Sequence, residues 1–236
     1  MYNIIDKYNK VARKQKLLQE VTKNIFRHLN VDKYIKMMNI SNNMPQNNMY
    51  RMFISYFREK LIAHLLNLKY VGDKKEWETD CVYPNNVERP EEFHIKYEIK
   101  IQKQMFQKNG DTNGIILKNG RGEGTKIINL LQTIMKNTFI LINGTFPYNI
   151  AFVNPNNFIF YVNGKKNSKT FNEIINDEEF LNSKCAELCA YVKKENLIYV
   201  HEYDNPSEYK NETLDQKFDP FKEIIDDFIT KNFAGN

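Results

Sequence analysis

Asp80, Glu98 and Lys100 are the residues whose types and spacing could cleave a phosphodiester. Two carboxylates offer hard oxygen ligands to a divalent cation such as Mg²⁺, which would neutralise phosphate oxygens and acidify a water. The lysine brings a positive charge to the attacking water or the scissile phosphate. Glu98 and Lys100 are two residues apart, so on a strand they leave the same face about 7 Å from one another. The carbonyl of Ile99, between them, is a further oxygen that a cation could take. Asp80 stands eighteen residues before Glu98, and the chain must fold back for the three to converge. The same residues also fit a solvated strand face with a cross-strand salt bridge.

The elements that would position them show in the hydrophobic pattern. Phe93, Ile95, Tyr97, Ile99 and Ile101 alternate with His94, Lys96, Glu98, Lys100 and Gln102. That period of two predicts a strand over about 93–104 with one face in a core. A short strand is expected around Trp77 to Tyr83, broken at Pro84, Asn85 and Asn86. Glu78 and Asp80 would lie on one side of it, so either could be the first ligand; Asp80 is preferred. Upstream, Tyr50, Phe53, Phe57, Leu61, Leu65 and Leu68 make the apolar stripe of a helix over about 48–68.

Downstream, a short strand at 115–117 precedes a helix over 125–136, with Thr125 as its N-cap. The run TFILIN at 138–143 reads as a strand buried on both faces. Further strands are expected at 150–153 and 158–162, the second ending in the turn pair Asn163-Gly164. A helix holding Ile174 to Tyr191, a strand at 197–202 and a last helix from Pro220 complete the pattern. Residues 2–38 carry apolar side chains at helical spacing, for one or two amphipathic helices, and an Asn-rich loop follows. The class is mixed α/β in one domain: a helical extension (1–47), a core (48–145), and additional strands and helices (146–236).

The order helix, strand with Asp80, strand with Glu98-Ile99-Lys100, third strand, helix, buried strand resembles the PD-(D/E)XK nuclease superfamily. Its common core runs αβββαβ, and its motif is Asp, a variable gap, then Asp/Glu-x-Lys. The resemblance covers about residues 48–145. It implies a restriction-endonuclease-like central mixed sheet flanked by helices. It also implies Asp80, Glu98 and the Ile99 carbonyl as Mg²⁺ ligands, and Lys100 as the catalytic lysine. Some members add a carboxylate from the first core helix. Glu59 stands in such a helix and reads either as that carboxylate or as a solvated surface glutamate. Thr79, not proline, precedes Asp80, a departure at the least dependable point of the pattern.

The function implied is a type II restriction endonuclease acting on double-stranded DNA as a homodimer, whose two-fold symmetry would match a palindromic site. Base-reading elements are expected within residues 145–220. Two other classes compete: a non-catalytic nucleic-acid-binding protein, and an interaction module whose residues 2–38 pack on a partner.

From Lys100 to Lys126 the basic residues Lys100, Lys103, Lys108, Lys118, Arg121 and Lys126 face only Asp111 and Glu123. Glycines at 110, 114, 120, 122 and 124 let the backbone approach a ligand closely. Lys103, Lys118, Arg121 and Lys126 are therefore candidate contacts to a phosphate backbone, a flexible solvated loop being the alternative. The spacing of a nucleotide P-loop is absent, as are Gly-x-Ser-x-Gly, HExxH and dinucleotide fingerprints.

The net charge of +5 is compatible with a nucleic-acid partner. With 236 residues and 42% hydrophobic content, the chain can build one sizeable core. No apolar run is long enough for a membrane span, and the first residues lack a signal-peptide pattern, so no membrane partner is expected. Cys81, Cys185 and Cys189 make no disulfide framework and fit a reducing cytoplasm. The last two, four apart on the expected helix, read as core residues, and the scattered histidines complete no zinc set. Phe158 to Tyr161 is read as core in preference to a base-stacking platform.

Overall fold

The structure, a computed structural model, describes Met38 and residues 48–72, 78–83, 95–120, 123–145 and 148–201. The expected N-terminal helices (Met38 apart), Trp77, Phe93, His94, Arg121 and the helix expected from Pro220 lie outside the described residues.

The chain opens with helix α1 (Asn48–Leu65), whose Phe57, Leu61 and Ile62 are buried at helical spacing while Ser55 and Tyr56 face solvent. Asn67, in the left-handed region at φ 53°, turns the chain out of the helix. Three antiparallel strands follow, β1 (Lys69–Tyr70), β2 (Cys81–Tyr83) and β3 (Ile95–Gln102). Next come β4 (Ile115–Asn119), β5 (Thr125–Lys126) and helix α2 (Ile127–Ile134), which buries Ile127, Leu130, Leu131 and Ile134. Strand β6 (Thr138–Asn143) is buried throughout and lies parallel to β3, with Glu98 beside Phe139 and Lys100 beside Leu141. Then follow β7 (Ile150–Val153), β8 (Ile159–Tyr161), β9 (Lys169–Thr170), α3 (Phe171–Ile175) and α4 (Glu178–Asn182). The last described strands are β10 (Lys184–Cys185), β11 (Glu187–Tyr191) and β12 (Ile198–His201).

The fold is mixed α/β. Among the described residues the central sheet is six-stranded, in the order β1-β2-β3-β6-β7-β12; a second sheet runs β4-β11-β8-β9, and β5 pairs with β10. Each face of the central sheet has its own core. Tyr97, Ile99, Ile140, Ile142, Ile150 and Phe152 pack with Phe57, Leu61, Ile62 and Leu66 on the α1 side. Phe139, Leu141, Ala151 and Val153 pack under α2 and the second sheet on the other. A strand covered on both faces has no polar side to show, which is why β6 reads as an unbroken apolar run.

Four expectations change. The strand at 115–119 exists but belongs to the second sheet, beside β11; β1, too short to leave a periodic signal, is the first strand of the meander. The helix expected over 174–191 is instead α3, α4, β10 and β11. Asp177 caps a new helix by accepting from the Phe180 N–H at 2.9 Å, and the alternating burial of 187–191 makes a strand. Cys185 and Cys189 therefore sit on strands. Finally, Thr125 lies in β5 and Lys126 is the N-cap of α2, without a side-chain cap bond; the Ile127 N–H is satisfied by the Ser183 carbonyl at 3.0 Å.

Two of the loop glycines have a packing role. The Gly120 N–H donates to the Ala186 carbonyl, and a Cβ at Gly120 would run into the Cys185 carbonyl oxygen. Gly124, at φ 98°, approaches the same carbonyl. Gly120→Ala is expected to lower stability by about 1–3 kcal/mol in urea unfolding followed by circular dichroism. An unchanged midpoint would show that the two segments can part without loss.

Candidate active site

Asp80 immediately precedes β2, and its backbone is held from both sides. Its carbonyl accepts from the Val71 N–H at 2.8 Å, and its own N–H donates to the Tyr97 carbonyl at 3.2 Å. Beyond that point the side chain takes over the ladder: Asp80 Oδ2 accepts from the Ile99 N–H at 2.7 Å. The Thr79 hydroxyl, bonded to the Tyr97 carbonyl at 2.8 Å, steadies the same turn. A strand residue presents its N–H and C=O to the same neighbour, so the Ile99 carbonyl also lies on the Asp80 side of β3.

Glu98 and Lys100 leave the face of β3 that carries the α2-side core. Glu98 is 8% exposed, and its Oε1 accepts from Lys100 Nζ at 3.0 Å. Glu59 comes from α1, where it accepts from the Ser55 hydroxyl at 3.1 Å and, more weakly, from the Tyr70 hydroxyl at 3.5 Å. Glu59 is half-buried and feels the charges of both Lys100 and Glu98, so it is no solvated surface glutamate. Asp80, Glu98, Glu59 and Lys100 thus share one electrostatic neighbourhood.

Glu78 takes another course. It is in the left-handed region at φ 49°, which breaks the expected strand before Asp80 and turns the two acids apart. Its carboxylate is exposed and pairs with Lys136 Nζ at 2.6 Å. Its backbone carbonyl accepts from Asn137 Nδ2 at 3.3 Å.

The electrostatics follow this division. Removal from water raises the Asp80 carboxyl to about 7; the charges of Glu98 and Glu59 push the same way, against the Ile99 N–H and Lys100. Burial likewise raises Glu59, opposed by the Ser55 hydroxyl and Lys100. Glu78 is lowered, chiefly by its hydrogen bond to Lys136. A carboxyl displaced this far, beside two others and a lysine, is a marker of functional sites.

Asp80, Glu98 and the Ile99 carbonyl are hard oxygen donors, of the chemistry that Mg²⁺ takes. The described residues hold no group of three or more His, Cys, Asp or Glu side chains set to bind a metal ion. Mg²⁺ commonly takes one or two carboxylates and fills its octahedron with water and substrate phosphate.

The basic residues named from the loop are dispersed. Lys103 is exposed just past β3, Lys126 is exposed before α2, and Lys118 is half-exposed on β4, where its charge reaches Glu78. Pattern alone missed Lys136 and Asn137, which reach Glu78 only through the meeting of α2 with β6. No known protein family, no curated protein and no solved structure matches the chain.

The Asp80 carboxyl gives this site a pH signature. Its folded value of about 7 lies above the unfolded 3.8, so in that interval the folded protein binds more protons than the unfolded one. Stability from this group therefore falls as pH rises from 3.8 to about 7 and levels off above. Asp80→Asn is expected to be more stable than wild type above neutrality, by on the order of a few kcal/mol, with the difference vanishing in acid. Urea unfolding at a series of pH values checks this. Parallel profiles for the two proteins would mean that the carboxyl is not displaced by burial.

Proposed function

We propose that the chain is a Mg²⁺-dependent endonuclease of the PD-(D/E)XK kind, hydrolysing phosphodiester bonds in double-stranded DNA in the manner of a type II restriction enzyme. One observation carries the reading: the Asp80 carboxylate is tied to the Ile99 backbone, between the side chains of Glu98 and Lys100. The candidate first ligand, from the bend just before β2, thus stands beside the Glu-x-Lys stretch of β3. The order α1, β1, β2, β3, then β4 and β5 of the other sheets, α2 and β6, with β6 parallel to β3, supports it as well. So does Glu59, whose place on α1 is that of the extra carboxylate some members supply.

In this reading Asp80, Glu98 and the Ile99 carbonyl would hold the cation, and Glu59, which feels the charge of Glu98, would add to the negative field there. Mg²⁺, when bound, neutralises the scissile phosphate and lowers the pKa of a bound water. Lys100 Nζ, bonded to Glu98 Oε1 at 3.0 Å, would donate a hydrogen bond that orients the attacking water and would stabilise the developing negative charge. The burial of Glu98, whose neighbour on β6 is Phe139, keeps this charge pattern in a low-dielectric setting, where each interaction counts for more. A homodimer working on a palindromic site in the cytoplasm belongs to the same reading. Among the described residues no helix is long and apolar enough to cross a membrane.

The test is incubation of the purified protein with phage duplex DNA in Mg²⁺ or EDTA. Discrete fragments are expected in Mg²⁺ alone. Asp80→Asn and Lys100→Ala should each cut at a rate lower by about 10²-fold or more, and Glu59→Gln by less. Undiminished cutting by both variants would overturn the site. DNA binding without cutting by wild type would leave a binding protein in place of an enzyme.

A further inference from the structure

We propose that Lys96, Lys118 and Lys136 form a second phosphate seat beside the Asp80–Glu98–Lys100 site, and that the Glu78 carboxylate fills it in the free protein until duplex DNA displaces it. The proposal rests on the nuclease reading and names the part of the surface that would hold the backbone next to the cut. The three lysines come from three elements, β3, β4 and the turn after α2. All three act on one carboxylate: Lys136 bonds it directly at 2.6 Å, and the charges of Lys118 and Lys96 reach it through space.

The placement follows from the strand register. Tyr97 lies beside Thr138 in the parallel β3–β6 pair, so Lys136 and Asn137, just before Thr138, sit near the Lys96 end of β3. Lys96, Glu98 and Lys100 leave one face of β3 in steps of about 7 Å. The seat is therefore one strand step from the candidate metal ligand Glu98, a spacing comparable to that of neighbouring phosphates along one DNA strand.

Glu78 is suited to being displaced. The ion pair is open to solvent, with 48% of the Glu78 side chain and 41% of the Lys136 side chain exposed. Such solvent-screened pairs contribute little, so exchanging this partner for another anion costs little. The backbone under Glu78 is held independently of the pair. Asn137, 3% exposed, donates to the Glu78 and Thr133 carbonyls, and among the described residues its Oδ1 has no partner. The turn at 78 thus keeps a buried support when the carboxylate swings away, and the lysines stay where α2, β3 and β4 put them.

The test uses the full chain and a fluorescein-labelled duplex of mixed sequence, with anisotropy read in EDTA across a KCl series. Lys118→Ala/Lys136→Ala is expected to bind about tenfold or more weakly at low salt, and its log–log salt slope to be shallower by roughly 1–2. Glu78→Gln should bind severalfold more tightly, a gain that no folding defect can produce. Wild-type affinity and slope in both variants overturn the seat, while cutting by wild type in Mg²⁺ still stands as evidence for the enzyme. Shifted affinities with no cutting uphold the seat and overturn the enzyme. A wild type that binds no duplex at low salt overturns the seat.

Discussion

The parallel pairing of β3 with β6 is the constraint from which most of the architecture follows. Two parallel neighbours cannot be joined by a hairpin, so the chain between Gln102 and Thr138 has to cross a face of the sheet. It does so through β4, β5 and α2, and β4 recruits β8, β9 and β11 into the second sheet. That crossover is what covers the even-numbered face of β3. Without it Glu98 and Lys100 would stand on a solvated surface, where an acid and a lysine neutralise one another at little consequence. With it, Glu98 is buried beside Phe139, and its ion pair with Lys100 sits where water screens it poorly.

The candidate site is costly as the free protein holds it. Glu59, Asp80 and Glu98 are three acids drawn together with one lysine, and burial raises two of them. Burying carboxylates together works against folding unless protons or cations compensate. The fold supplies local help: the Ile99 N–H to Asp80, the Lys100 ammonium to Glu98, and the Ser55 hydroxyl to Glu59. Burial outweighs that help at Asp80 and Glu59, and in the proposed reading a divalent cation would relieve the imbalance.

Much of this was legible where the hydrophobic period is long. The alternation through Ile95 to Gln102 gave β3 its correct faces, and the unbroken run of β6 announced a strand covered on both sides. The pairing of Asp80 with Glu98 and Lys100 was legible only through the order of elements around them. Other features leave no trace in one dimension. A strand as short as β1 has no period. Leu181 and Leu188 keep helical spacing across Ser183, although the chain changes from helix to strand there. Glu78 and Asp80 look equivalent until the left-handed turn at 78 sends them apart. Lys136 and Asn137 matter because of a register between two strands, and register is a property of the folded pair.

The edge of the central sheet at β1 has a further consequence, for self-association. Among the described residues β1 pairs only with β2, which makes it one edge of the sheet. The edge is two residues long, Lys69 and Tyr70, and Lys69 is exposed. So brief and charged a stretch is a poor template for an incoming chain, and natural sheets blunt their margins by these same means. Extension of the sheet into a second copy or into aggregates is therefore discouraged on this side.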